Sequence, residues 1–228
     1  MDVLTLSATP IPRTLNMAMT GIRDMSIIEE APHDRHPVQT YVIEYNFEVI
    51  MQAISTELRR GGQVYYLHNR TETIDAKAAK IKEYMPDANV AVAHGQMSED
   101  KLSDIWRSLL EGEIDILIGT QMIAKGHDFP KVTMSSVVMA DIGLALPTYR
   151  ASERTFGLIA QAVGRSGRAD KEGIAYIQTY NPDHYAIVYG ATQDYEKFYQ
   201  NEMQYRFLQK APPEIPPGSA RLSLPSSM

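Results

Sequence analysis

Strand-like and helix-like segments alternate along most of this chain, and that alternation constrains its fold more than any other feature. Val38–Tyr45 is rich in β-branched and aromatic residues. Phe47–Arg60 has a helical period and stops at Gly61-Gly62. Val64–Leu67 reads as a strand, Thr71–Tyr84 as an amphipathic helix stopped near Pro86, and Asn89–Ala93 as a strand. A helix over Ser98–Leu110, strands at Ile114–Ile118 and Thr133–Met139, a helix over Ser152–Val163 and a strand at Gly173–Thr179 follow. Pro182–Gln209 is mostly helical in character. Strands separated by helices of about 10–15 residues predict a parallel sheet covered on both faces. In such sheets ligands gather beyond the carboxyl ends of the strands, so functional residues are expected just after strands.

At the amino end, Val3–Leu6 reads as a short strand, Ala8-Thr9-Pro10 as a turn, and Pro12 as the start of a helix reaching about Met19. Glu29–Pro37 is polar, carries two prolines and reads as a linker. The last stretch, Ala211–Met228, is rich in Pro and Ser and is expected to be disordered.

With 228 residues and 44% hydrophobic content, the chain can build one α/β core of ordinary size plus short extras. Its net charge of -6 argues against capture of nucleic acid by a broad basic face, and leaves room for a few placed phosphate contacts. There is no cysteine, which excludes disulfides, zinc ribbons and thiol catalysis. The six histidines show no ligand spacing with carboxylates, so no metal site, zinc included, is expected. No apolar run approaches the ~20 residues of a membrane span and no signal pattern opens the sequence. A cytoplasmic protein with no membrane contact is the expectation.

The sharpest motif is Gln161-Ala-Val-Gly-Arg-Ser-Gly-Arg168. Two arginines three apart, each preceded by glycine, end a helical segment. Guanidinium groups fork onto phosphate oxygens better than lysine does, and glycine admits a close surface. A lone Gly-Arg pair reads as a helix ending in a glycine turn with solvated arginines; the eight-residue pattern carries more. A second motif, Ile118-Gly-Thr-Gln-Met-Ile-Ala-Lys-Gly-His-Asp-Phe-Pro130, follows an apolar strand. A hydroxyl and backbone amides at a strand end hold a phosphate without much net charge. Thr5-Leu-Ser-Ala-Thr-Pro-Ile-Pro-Arg-Thr14, Tyr65-Tyr-Leu-His-Asn-Arg70 and Ala93-His-Gly-Gln-Met97 are weaker, and the loop histidine and Lys125 have plain solvated readings beside the functional ones.

Together these motifs resemble the C-terminal lobe of superfamily 2 DNA helicases, in the order III, IV, IVa, V and VI. The resemblance implies a RecA-like three-layer α/β fold with a parallel sheet. It implies that Arg165 and Arg168 reach across a cleft as catalytic arginine fingers toward ATP on another lobe. Gly126, Asp128, Gln161 and Gly164 would lie on the nucleotide side. Thr9, Arg13, Asn69, Arg70, His94, Gly95, Thr120 and Gln121 would meet the DNA backbone, without regard to base sequence. Residues 1–30 would be the end of a first motor lobe, 31–185 the helicase C-terminal domain, 186–210 a C-terminal helix and 211–228 a tail.

Residues 2–112 resemble the transcription-repair coupling factor and the branch-migration helicase RecG, through Gly61-Gly-Gln-Val-Tyr-Tyr-Leu-His-Asn69 and Ala93–Met97. Residues 114–210 resemble PriA, the replication-restart helicase, through Gly119–Pro130, Arg150-Ala-Ser-Glu-Arg-Thr-Phe156 and Gln178-Thr-Tyr-Asn-Pro-Asp-His-Tyr185. The expected join lies at Leu110–Leu117. PriA carries a cysteine-rich zinc module in this lobe, and the absence of cysteine excludes it here.

No phosphate loop of the Gly-x-x-x-x-Gly-Lys-Ser/Thr kind occurs in these residues. ATP and Mg2+ are therefore expected only in a complete two-lobe motor, whose partner lobe supplies that loop, and the chain alone is expected to hydrolyse ATP negligibly. Two other readings compete with the motor lobe: a noncatalytic DNA-binding or protein-interaction module that kept a motor fold, and a gene fragment without function.

Overall fold

The computed structural model describes residues 38–121, 129–166 and 172–209. Six strands form one sheet: β1 (Val38–Ile43), β2 (Gln63–His68), β3 (Val90–Ala93), β4 (Ile116–Gly119), β5 (Val132–Val138) and β6 (Gly173–Gln178). Their spatial order is β1-β6-β5-β2-β4-β3, and every pairing is parallel. Among the described residues the expected strands and helices are present, with ends shifted by one or two residues. The segments placed before residue 38 and after residue 209 lie outside the described residues.

Two apolar clusters, one on each face, make the three layers. Along β2 the side chains alternate between them: Val64 and Tyr66 join one, Tyr65 and Leu67 the other. Helices α1 (Phe47–Arg59) and α2 (Thr71–Tyr84) cover the first face with Ile50, Met51, Ile54, Ile74 and Ile81, all fully buried. Helices α3 (Glu99–Glu111), α4 (Ala151–Val163) and α5 (Tyr185–Thr192) cover the second with Leu109, Leu158, Ile159 and Ile187. Every residue of β2, β4 and β5 is buried, which is why these strands read as unbroken apolar or β-branched runs.

Local chemistry fixes the element ends. The Asn46 side chain accepts a hydrogen bond from the Val49 amide at 3.1 Å and caps α1. After α1 the chain turns at Gly61-Gly62, where a Cβ on Gly62 would collide with the side chains of Thr133 and Glu57. Those two side chains hydrogen-bond to each other in the core, and Glu57 also pairs with Arg60 at 3.1 Å. Helix α3 ends at Gly112, whose φ of 89° suits glycine, while the Glu113 amide donates back to the Ser108 carbonyl at 2.9 Å.

Two features depart from the expected pattern. A 3-10 segment, Ala140–Ala145, follows β5, entered through Met139 in the left-handed region at φ 53°. The helical stretch after β6 is two helices rather than one, α5 and α6 (Tyr195–Gln209), broken at Gln193 with φ 56°. The Gln193 side chain donates to the Ala160 carbonyl at 2.9 Å, so the break is held against α4.

Candidate functional site

Because all six strands are parallel, their carboxyl ends share one edge, and three of the sequence motifs meet there. Register places Leu67 of β2 and Ala93 of β3 on either side of Gly119 in β4. The loops that follow are therefore neighbours: His68-Asn69-Arg70, His94-Gly95 and Thr120-Gln121. The Thr120 amide donates to the Ala93 carbonyl at 3.4 Å, and the Gln121 amide donates to Asn69 Oδ1 at 3.3 Å. Asn69, Arg70 and Gly95 are exposed, and His94, Thr120 and Gln121 are half-buried. Buried His94 Nδ1 has no hydrogen-bond partner, and a Cβ on Gly95 would meet nothing within 4 Å.

Helix α2 opens onto the same edge. Its N-cap is Arg70, which makes no side-chain capping bond, so the first-turn amides are left without a side-chain acceptor from this residue. Beneath them His68 is buried, with Nε2 at 2.8 Å from Thr73 Oγ1. Burial first, then the nearby Lys77 and Arg70 charges, hold its pKa below the usual histidine value, which keeps the ring neutral.

The arginine motif lies elsewhere. Helix α4 connects β5 to β6, so it begins near the carboxyl edge and runs back toward the amino edge. Gln161, Gly164 and Arg165 sit at its far end. The Arg165 amide donates to the Ala162 carbonyl at 3.2 Å and the Ser166 amide to the Val163 carbonyl at 3.3 Å, prolonging the helical turn. Gly164 is buried and Arg165 half-buried. Gln161 Oε1 and Ser166 Oγ are buried without a hydrogen-bond partner. These three candidates depart from the expectation that functional residues follow strands, because a crossover helix carries them. At 1.5 Å per residue, α4 sets them about 20 Å along its axis from the edge occupied by Asn69 and Gln121. Thr9, Arg13, Gly126, Asp128 and Arg168 lie outside the described residues.

The structure adds residues that no motif marks. Arg206 of α6 is buried and pairs with Glu202 and with Glu153 of α4, each at 2.7 Å. The Tyr185 hydroxyl donates to Glu202 at 2.6 Å. A helical pattern with an arginine four residues after a glutamate hints at the Glu202–Arg206 pair, but nothing local points to Glu153, 53 residues away. Among the described residues, no helix is long and apolar enough to cross a membrane.

Residues 45–170 match the family model described as the helicase conserved C-terminal domain. The chain belongs to that family. This helicase C-terminal domain is 49% identical over 183 residues to the transcription-repair-coupling factor of Bacillus subtilis (strain 168), covering 80% of the chain and 14% of the relative. It is 47% identical over 177 residues to the coupling factor of Staphylococcus haemolyticus (strain JCSC1435), covering 77% and 14%. An alignment of 183 of the 228 residues cannot avoid Leu110–Leu117, so likeness to the coupling factor runs past the expected join. Among solved structures, RecG bound to a three-way DNA junction superposes with a TM-score of 0.64 at 22% identity, over 87% of the chain and 26% of that structure. S. cerevisiae Dbp5 L327V bound to RNA and ADP BeF3 gives 0.60 at 18% identity, over 90% and 53%. At these identities the superpositions establish the RecA-like helicase fold. The chain spans 14% of the length of the curated relatives it matches.

Proposed function

We propose that this chain is the second motor lobe of an ATP-dependent DNA helicase or translocase that acts in DNA repair or replication restart. Asn69, Arg70, His94, Gly95, Thr120 and Gln121 take the DNA backbone, joined by Thr9 and Arg13. Gln161, Gly164 and Arg165, with Gly126, Asp128 and Arg168, face ATP. The observation that carries this assignment is the meeting of three motifs on one sheet edge, joined by the Gln121–Asn69 hydrogen bond. Backbone amides at a helix start and uncharged polar side chains hold phosphates without a basic face, which suits a chain of net charge -6. Repair is favoured by likeness to the coupling factors; replication restart rests on the resemblance of residues 114–210 to PriA.

The nucleotide half fits ATP only in part. Arg165 offers a cation and Gln161 an unpartnered amide oxygen at the end of α4. ATP, with its Mg2+, would supply the phosphoryl group whose transfer the guanidinium groups stabilise. A first RecA-like lobe would hold the remaining phosphates, since these residues contain no phosphate loop. DNA-stimulated ATP turnover of the purified chain tests the division of labour. Turnover at background alone, rising when a lobe carrying the phosphate loop is added, is the expected result. Turnover by the chain alone at the rate of a complete helicase would overturn it.

A further inference from the structure

A cavity of about 170 Å³ opens at the carboxyl edge, between the end of β2, the 3-10 segment and the first turns of α4. Its walls are mixed, with Leu67, Val137, Ile142 and Leu158 among the apolar residues. Its polar side chains among the described residues are neutral or cationic. Asn69 and Gln121 line it with side-chain amides, Arg154 with a guanidinium, and Thr155 with a hydroxyl. Among the described residues, no carboxylate lines it. Thr155 is only 2% exposed and its Oγ1 has no hydrogen-bond partner. Arg154 is exposed, and no carboxylate among the described residues pairs with it. Met139, on the wall, is held at φ 53° and ψ 58°, a left-handed conformation that costs an unbranched side chain free energy and tends to persist where a site requires it.

These observations select a ligand. An apolar cavity of ~150 Å³ accepts a benzene-sized ring. A slot of this volume has room for one six-membered ring. Amide side chains at the rim match the donor and acceptor edge of a base. An exposed guanidinium at the mouth, with no carboxylate paired to it among the described residues, matches a phosphate. We propose that the cavity takes one pyrimidine base of a nucleotide unit, with its phosphate on Arg154. Asn69 and Gln121 are also residues assigned above to the DNA backbone, so a strand on this edge would pass the mouth of the cavity. The proposal rests on that assignment where the nucleotide unit belongs to a strand; a free pyrimidine nucleotide carries the same chemistry and is the other source.

Photocrosslinking separates the two. The full chain is irradiated with an oligothymidylate carrying one 5-iodouracil and, in a second arm, with free 5-iodo-dUMP, while fluorescence anisotropy of a labelled oligothymidylate reports strand binding independently. The expected adduct falls on the tryptic peptide spanning residues 132–150, which contains Met139 and Leu146. Leu146 is 50% exposed and lines the cavity, so Leu146→Trp fills the cavity from its rim without touching the core, and should abolish the adduct. Arg154→Gln should weaken oligonucleotide binding about threefold to tenfold, and Arg154→Lys should restore most of it. Strand binding with an adduct elsewhere, unchanged in Leu146→Trp, overturns the base site and leaves the nucleic-acid assignment standing. Absence of strand binding overturns that assignment; the 5-iodo-dUMP arm then decides the cavity. An adduct on the same peptide supports a free-nucleotide site, and none overturns it.

Discussion

At the scale of single residues, two histidines make stability depend on pH in a direction the structure fixes. His68 is held below the usual histidine pKa by burial and by Lys77 and Arg70. His184 is lowered by burial, against the opposing pull of Glu202. Nδ1 of His184 accepts the Ala186 amide at 3.2 Å as the N-cap of α5, a bond that the protonated ring cannot make. Both rings are favoured neutral in the folded chain, so the unfolded chain binds more protons once pH drops below about 6.5. Their contribution is full above that value and is lost as pH falls from it through the lowered folded pKa values. Urea midpoints should therefore decrease from pH 7.5 to pH 5.5. His184→Asn, which keeps a capping acceptor and removes one titration, should flatten the decrease. An identical slope in wild type and variant would contradict the role of His184. Histidine at 184 was visible in the sequence as part of a family-like phrase; its work as a cap was not, because the capping bond depends on a backbone turn at residues 181–184.

At the scale of elements, α6 is fastened to α4 by an aromatic stack, Phe198 on Phe156 with ring centroids 4.1 Å apart, and by a buried charge cluster. Phe207 and Leu208 are exposed near its end and Tyr205 stacks on Tyr185 of α5, while Arg206 points inward between Glu202 and Glu153. Removing the guanidinium would leave two carboxylates buried without their cation. Arg206→Ala should cost about 3–5 kcal/mol in urea unfolding, with faster amide exchange concentrated in α5 and α6. Exchange that rises evenly across the sheet would place the effect elsewhere. The elements themselves were legible because hydrophobic period, glycine stops and strand composition are local signals. The divided C-terminal helix and the 3-10 segment were not. Gln193 and Met139 adopt positive φ although neither is glycine, and what holds Gln193 is a carbonyl of α4, far away in sequence. The base-sized cavity was illegible for the same reason: its walls come from β2, β5, the 3-10 segment and α4, and no contiguous stretch spells it.

At the scale of the whole domain, one helix separates the two proposed sites. The DNA-facing candidates sit on the carboxyl edge and Arg165 sits at the far end of α4, so damage to one end need not disturb the other. In a motor reconstituted with a lobe that carries the phosphate loop, Arg165→Ala should lower ATP turnover about 10³-fold while DNA affinity stays within about threefold. Equal losses in both would contradict the separation. The motif order in the sequence suggested two sites and candidate residues for each, but not the distance between them, which follows from the direction in which a crossover helix must run. The sheet order has a mechanical side as well. The first strand, β1, lies against the last, β6, with six residue pairs from Val38 opposite Gly173 to Ile43 opposite Gln178. Tension entering at the start of β1 and leaving beyond the end of β6 pulls these parallel neighbours in opposite directions along their length. The ladder is then loaded in shear, with its hydrogen bonds sharing the load rather than opening one after another. A domain strung this way transmits a pull along the chain as a stiff link, and yields only when the whole strand slides.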